Sequence, residues 1–151
     1  MKRALLFIGI IVIIIIGVLI YKGLVKETGQ ELLPEEKITM PKTLQGKTIA
    51  MVTAFRDFRD IEYFIPRDVL AGAGAKIVTV SSQKGIAIGA DGGEATVDLG
   101  VSEFKVEDFD AVVFIGGPGM AKKLDDEGFQ KIARDTIKAD KVLGAICISP
   151  A

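Results

Sequence analysis

The sequence predicts an α/β fold, a parallel sheet with helices on both faces, preceded by one transmembrane helix. Four short apolar runs lie between Lys47 and Ile146, and segments with helical spacing of apolar residues separate them. The runs are apolar without alternation, which is typical of parallel strands buried on both faces. A longer uncharged apolar stretch, residues 4–21, comes before this region.

Residues 4–21 contain sixteen apolar residues and two glycines. As a helix they extend about 27 Å, close to the roughly 30 Å of a hydrocarbon core. No small-residue cleavage site follows, so an uncleaved anchor is favoured over a secretory signal. We therefore expect an anchor over residues 1–25, a polar linker over 26–45 and a domain over 46–151. Lys2 and Arg3 before the span slightly favour a single-pass membrane protein with an extracytoplasmic domain.

The predicted strands are four buried runs and a small hairpin. The runs are short, rich in β-branched residues, and bounded by turn residues. The hairpin surrounds an Ala-Asp-Gly-Gly turn. The strands are expected at Lys47–Thr53, Lys76–Ser81, Ala111–Ile115 and Val142–Ile146, and the hairpin at Ile86–Ile88 and Glu94–Leu99.

Two helices are predicted from the spacing of apolar residues. The first covers Asp60–Ala73, with Asp60 as its N-cap and Gly72 and Gly74 ending it. The second covers Asp126–Ala139. The residues expected to face the core are Ile61, Phe64, Ile65, Val69 and Leu70 in the first helix, and Phe129, Ile132, Ala133 and Ile137 in the second. This order of strands and helices is flavodoxin-like in outline.

The composition excludes several classes of function. The formal net charge is −1, without the basic excess that nucleic-acid binding requires. A single cysteine allows neither an intramolecular disulfide nor a Cys-rich zinc site. No histidine is present, so these residues supply no imidazole base and no His-bound metal. We expect no metal and no cofactor.

Cys147 directly follows the fourth apolar run, where a strand-to-helix turn presents a sulfur outward as a nucleophile elbow does. A buried cysteine that packs as a small apolar residue is an equally good interpretation. Glu62, at the start of the first helix, is the second candidate. If the first and fourth strands are near neighbours, Glu62 and Cys147 meet, and one of them keeps a proton. The alternative is a solvated glutamate that complements the helix dipole.

The segment Gly116–Gly119, Gly-Gly-Pro-Gly, follows the third apolar run. Its backbone N–H groups are candidates for binding an oxyanion, although such a segment also serves any tight turn. No Lys-Ser/Thr pair follows it, so it is not a phosphate-binding loop. The charged residues Arg56, Asp57, Arg59 and Asp60 are expected in a solvated loop with local ion pairs, or at the rim of a pocket.

Three segments resemble the DJ-1/PfpI family. Ala145–Pro150 (Ala-Ile-Cys-Ile-Ser-Pro) is similar to the family's cysteine elbow. Phe58–Pro66 is similar to its first-helix motif, with an acid four residues before a proline. Asp110–Gly117 is similar to its strand ending in Gly-Gly. The resemblance covers residues 46–151 and implies a DJ-1/PfpI-type domain, related to class I glutamine amidotransferases.

The resemblance implies roles for five residues. Cys147 is the reactive cysteine and Glu62 its carboxyl partner. Gly116, Gly117 and Ile148 contribute backbone groups on the oxyanion side. In this family the cysteine oxidises readily to a sulfinate that the protonated acid stabilises. Family activities include peptidase or amidase, glyoxalase, and chaperone or redox-sensing roles, and members are commonly homo-oligomers.

Departures from the family pattern leave the function open. Ile148 stands where the protease-like branch has histidine, and Ser149 replaces a glycine. The sequence stops at Ala151, before the family's elbow helix and later strands, so we expect a C-terminally incomplete domain. The first hypothesis is a membrane-tethered cysteine hydrolase or glyoxalase acting on a small carbonyl or peptide substrate, active only if the C-terminal part is supplied. The alternatives are a redox-sensing or chaperone-like stress-response module, or an inactive fragment.

Overall fold

The computed structural model describes residues 41–147, together with Leu19 and Tyr21. Residues 41–147 belong to one compact unit. The predicted membrane span at residues 4–21 lies outside the described residues except for these two. Among the described residues, no helix has the length and apolarity needed to cross a bilayer.

Eight β-strands form two sheets within residues 41–147. The strands are β1 (Thr48–Val52), β2 (Arg56–Phe58), β3 (Lys76–Ser81), β4 (Gly85–Gly89), β5 (Glu94–Val97), β6 (Leu99–Gly100), β7 (Ala111–Phe114) and β8 (Val142–Ala145). A five-stranded parallel sheet at the centre of the domain has the strand order β6-β3-β1-β7-β8. The second, three-stranded sheet has the order β2-β4-β5. The parallel α/β fold that the sequence predicts is thereby confirmed.

Within residues 41–147, three α-helices connect the strands, and two single 3₁₀ turns precede β7. The helices are α1 (Asp60–Gly72), α2 (Pro118–Ala121) and α3 (Glu127–Lys138), and the 3₁₀ turns are Val101–Glu103 and Val106–Asp108. The two longer helices match the predicted ones to within one or two residues. Asp126 is the N-cap of α3, and its side chain accepts a hydrogen bond from the Gly128 N–H at 3.0 Å.

The core consists of two apolar clusters, one on each face of the main sheet. Neighbouring residues of a strand point to opposite faces, so Met51 and Val52 of β1 join different clusters. Val52 packs with Phe114 and Phe129. Met51 packs with Phe58 and other residues of the small sheet and α1. The continuous apolar character of β1 is explained by this burial on both sides.

The small sheet contains the predicted hairpin and one unpredicted strand. Strands β4 and β5 pair antiparallel, as expected. Strand β2 pairs parallel to β4 with a register shift between Arg56 and Phe58. Its three residues, of which only Phe58 is buried, carry no periodic apolar signal. β2 places the start of α1 beside the hairpin turn.

The inward face of α1 was predicted correctly at Phe64, which packs against the core, but incorrectly at three other positions. Ile61, Ile65 and Val69 are 61%, 55% and 48% exposed, whereas Tyr63 is buried. The helix is rotated so that the Tyr63 hydroxyl lies 2.6 Å from the Thr79 hydroxyl in the interior. An aromatic ring buries a large area, and its hydroxyl needs a partner when it is buried. These two requirements place Tyr63 inward and leave an aliphatic stripe on the surface.

Two further expectations about the helices are wrong. Ile137 is 64% exposed, and Thr136 is buried in its place. The Thr136 hydroxyl donates to the Ile132 carbonyl within the same helix, which satisfies its hydrogen-bonding need inside the core. Asp60 is the first residue of α1 rather than its N-cap; Arg59 occupies the N-cap position without a side-chain capping bond.

Asp110 connects the beginnings of β1 and β7. Its carboxylate accepts the Thr48 N–H at 2.8 Å and the Lys47 ammonium at 2.9 Å. The backbone hydrogen bond from Thr48 and the bond from Lys47 hold the pKa of Asp110 below its usual 3.8. These bonds fix the relative register of the two strands whose opposite ends carry the candidate site.

Candidate functional site

The candidate site lies beyond the carboxyl ends of the sheet strands. Strand β3, the next strand of the main sheet after β1, pairs on one side of β1, and β7 pairs on its other side. Ligands of such sheets bind where the strand order reverses in this way. Glu62 in the first turn of α1, Gly116 after β7 and Cys147 after β8 all lie at this edge.

Glu62 contacts the backbone that follows β7. Its Oε2 atom accepts a hydrogen bond from the Gly116 N–H at 3.2 Å. The Glu62 side chain is half-buried. The glutamate therefore faces the sheet edge, unlike the fully solvated first-turn glutamate of the alternative interpretation.

Gly116 is the point at which the site residues converge. A Cβ atom built on Gly116 would lie 2.8 Å from the Cys147 Cβ, 2.8 Å from the Ile146 carbonyl oxygen and 2.9 Å from Glu62 Oε2. The missing side chain thus leaves space that the glutamate and the cysteine border together. The first and fourth predicted strands, β1 and β8, are near neighbours separated only by β7, and Glu62 and Cys147 approach each other at Gly116, which follows β7.

Cys147 has the backbone geometry of a strained elbow. Its φ angle is +57°, in the left-handed region that non-glycine residues rarely adopt. The preceding residue is held at the end of the sheet by the Ile146 N–H, which donates to the Phe114 carbonyl at 3.0 Å. The thiol-bearing residue is exposed. Residues with a strained backbone at strand ends are often found at functional sites.

The other glycines of the segment after β7 allow the backbone to approach β2 closely. Gly117 has φ +113°, and a Cβ there would lie 2.5 Å from the Arg59 nitrogen. A Cβ on Gly119 would collide with the Arg56 carbonyl oxygen. The Arg59 N–H also donates to the Gly116 carbonyl at 3.0 Å. The Gly-rich segment therefore packs against the loop that leads into α1. This contact fixes the start of the helix that carries Glu62.

The proposed oxyanion donors stay a prediction. The Gly116 N–H already donates a hydrogen bond to the Glu62 carboxyl group. Gly116 can bind an oxyanion only if this hydrogen bond is broken. Ile148 lies outside the described residues. Within residues 41–147, no group of three carboxylate or thiol side chains is arranged to hold a metal ion.

The charged loop before α1 forms ion pairs with distant segments rather than local ones. Asp57 lies 3.4 Å from Lys122, and Arg59 lies 3.7 Å from Asp91. Arg56 and Asp57 also line a cavity of about 190 Å³ at this edge of the sheet. The sequence placed Asp57 in a charged loop or at a pocket rim, but it did not predict the φ angle of +59°, which puts Asp57 in the left-handed region.

The sequence model of the DJ-1/PfpI family matches residues 47–151. An uncharacterised protein of Methanocaldococcus jannaschii is 32% identical over 110 residues, which cover 72% of this chain and 54% of the relative. An uncharacterised protein of Staphylococcus aureus is 33% identical over 107 residues, covering 69% of this chain and 62% of the relative. The chain therefore spans between half and two thirds of the length of these relatives.

Solved structures of the same family share the fold. A ThiJ/PfpI domain protein from Brachyspira murdochii superposes with a TM-score of 0.64 at 32% identity, covering 70% of this chain and 58% of that one. An oxidised form of DJ-1 from Toxoplasma gondii superposes with a TM-score of 0.61 at 26% identity, covering 69% of this chain and 57% of that one.

We predict that Gly116→Ala destabilises the domain by about 1–3 kcal/mol, the usual cost of overpacking. The added methyl group would displace Glu62, Cys147 or both, because each lies within 2.9 Å of it. The control is Gly144→Ala in β8, whose added Cβ meets its nearest neighbours at 3.6–3.9 Å, an ordinary contact distance. Urea unfolding followed by circular dichroism measures both. Equal stability of the two variants would contradict the convergence at Gly116.

Proposed function

We propose, because the chain belongs to the DJ-1/PfpI family, that it is a cysteine-dependent domain in which Cys147 is the nucleophile and Glu62 its proton-transfer partner. The observation that carries the proposal is the shared border of the space at Gly116, where Glu62 Oε2 and the Cys147 Cβ each lie within 2.9 Å of one point. The exposure of Cys147 and the half-buried position of Glu62 at one sheet edge support this pairing.

The chemistry that fits this pair best is addition to a small reactive carbonyl compound. The Cys147 sulfur would form a bond to an aldehyde carbon, and the carbonyl oxygen would take up the electron pair as an oxyanion. The 151 residues contain no histidine, so Glu62 is the group assigned to move the proton. With methylglyoxal and water the overall product is lactic acid, so no external oxidant or reductant is needed.

With the C-terminal part of the domain supplied, as the enzymatic hypothesis requires, we expect methylglyoxal turnover to be abolished in Cys147→Ser and reduced by about 10²–10⁴-fold in Glu62→Gln, the usual contribution of a general acid–base group. Glu107→Gln is the matched control, because Glu107 is an exposed glutamate in a 3₁₀ turn. Lactate formation gives the rate. Turnover that survives Cys147→Ser would contradict the enzymatic proposal.

Redox sensing is the second candidate, favoured by the exposure of Cys147 and its position as the sole cysteine. Peroxide would convert the thiolate to a sulfenate and then a sulfinate, each step adding one oxygen and releasing one water. A Cys147 that reaches the sulfinate in the wild type but not in Glu62→Leu, together with absent methylglyoxal turnover, would select this function. Absence of both reactions would favour the inactive fragment.

We also propose that residues 4–21 hold the domain to a membrane as a single span, with the domain slightly favoured outside the cytoplasm. The support is the uncharged apolar run and the flanking basic residues. The full chain is then expected in the membrane fraction, and a variant lacking residues 1–25 in the soluble fraction. An equal distribution of the two forms would contradict the anchor.

The exposed stripe of Ile61, Ile65 and Val69 on α1 supports the expected homo-oligomer. A contiguous apolar surface of this kind is typical of protein contacts. Ile65→Glu is therefore expected to convert the oligomer to a monomer in light scattering. Ile137→Glu is the matched control, since Ile137 is also exposed, on α3, at 64% against 55% for Ile65. A monomeric wild type, or an oligomer unaffected by Ile65→Glu, would contradict this proposal.

A further inference from the structure

We propose that Asp60 is a positioning residue for Glu62, because it fixes the first turn of α1 against the β4–β5 turn. The inference deepens the proposed function, since it concerns how the carboxyl partner of Cys147 is held. Asp60 does not touch Gly116 or Cys147 in the contacts described above, and it acts through the helix start that carries Glu62.

The Asp60 carboxylate binds the hairpin turn with both oxygens. Oδ2 accepts the Asp91 N–H at 2.8 Å, and Oδ1 accepts the Gly93 N–H at 2.6 Å. Each bond has a charged acceptor, which makes it stronger than a bond between neutral groups. The side chain therefore connects two segments more than thirty residues apart instead of capping its own helix.

The glycines of the turn are required by this contact. A Cβ atom on Gly89 or Gly93 would collide with the Asp60 carboxyl group, and on Gly93 it would also lie 2.5 Å from the Phe64 ring. The turn thus leaves room for one carboxylate with almost no space to spare. A carboxylate enclosed in this way has little freedom to move, and neither has the backbone that bears it.

Further hydrogen bonds hold residues 58–60, one to the hairpin turn and one to the Gly-rich segment. The Ala90 N–H donates to the carbonyl of Phe58, two residues before Asp60, at 2.8 Å. Toward the Gly-rich segment, the Arg59 N–H donates to the Gly116 carbonyl at 3.0 Å. Residues 58–60 are therefore held between the hairpin turn and the Gly-rich segment. Glu62 follows two residues later, so a shift at Asp60 changes the Glu62–Gly116 distance.

The test uses the amide signal of Gly116 in ¹H–¹⁵N spectra of the full chain, because that N–H donates to Glu62. Glu62→Gln is expected to move the signal. Asp60→Asn is expected to move it in the same direction, since the amide NH₂ faces one of the two donor N–H groups and cannot accept from it. Asp60→Glu keeps the charge, but its longer side chain does not fit the enclosed space, so it should also move the signal.

The control is Asp68→Asn, which makes the same charge change at an exposed position of the same helix. It should leave the Gly116 signal in place. Circular dichroism verifies that each variant is folded. A Gly93 signal that moves in Asp60→Asn while the Gly116 signal stays fixed would overturn the inference, because Asp60 would then stabilise the turn without positioning Glu62. The same fixed Gly116 signal in a folded Asp60→Glu variant would also overturn it.

Alkylation of Cys147 by iodoacetamide separates this inference from the proposed function. We expect Glu62→Gln to change the alkylation rate. Asp60→Asn should change it by at least about twofold in the same direction, and the double variant should match Glu62→Gln, as for coupled residues.

A Gly116 signal that moves in both variants with unchanged alkylation would support positioning by Asp60 and contradict the Cys147–Glu62 pairing. An alkylation rate that changes only in Glu62→Gln, with the Gly116 signal fixed in Asp60→Asn, would contradict positioning alone.

Discussion

The absence of a side chain at Gly116 is the constraint on which the candidate site depends. The Cβ position of this residue is bordered by the Cys147 Cβ, the Ile146 carbonyl oxygen and the Glu62 carboxylate, all within 2.9 Å. Any side chain would drive apart the end of β8 and the start of α1. The β1–β7–β8 order brings the three segments to one sheet edge, and the glycine allows them to meet there.

Two loops, the Gly-rich segment and the hairpin turn, hold the residues around Gly116 in place. The Gly-rich segment packs on the backbone of residues 56–59, and the hairpin turn packs on Asp60 from the other side. The site is therefore positioned by elements of both sheets. The strained φ angles of Asp57 and Cys147 lie at the two edges of this contact. Such conformations persist where the surrounding packing determines them.

The sequence predicted the parallel sheet and most of its strands, because continuous apolar runs are a strong signal. It also identified Cys147 at a strand end and Glu62 in the first helical turn. It did not predict β2, whose three residues have no periodic pattern, or the inward side of α1. The latter depends on the Tyr63–Thr79 hydrogen bond, a contact between residues sixteen positions apart. The expected proximity of Glu62 and Cys147 required the first and fourth predicted strands to be near neighbours, and these strands, β1 and β8, are separated only by β7.

A crystal structure of the full chain at atomic resolution tests the central claim most directly. The account predicts Cys147 with a positive φ angle, its sulfur exposed, and the Glu62 carboxyl hydrogen-bonded to the Gly116 amide on the same side of the sheet edge. A Glu62 side chain directed into solvent, with the Cys147 sulfur packed in the interior, would contradict it.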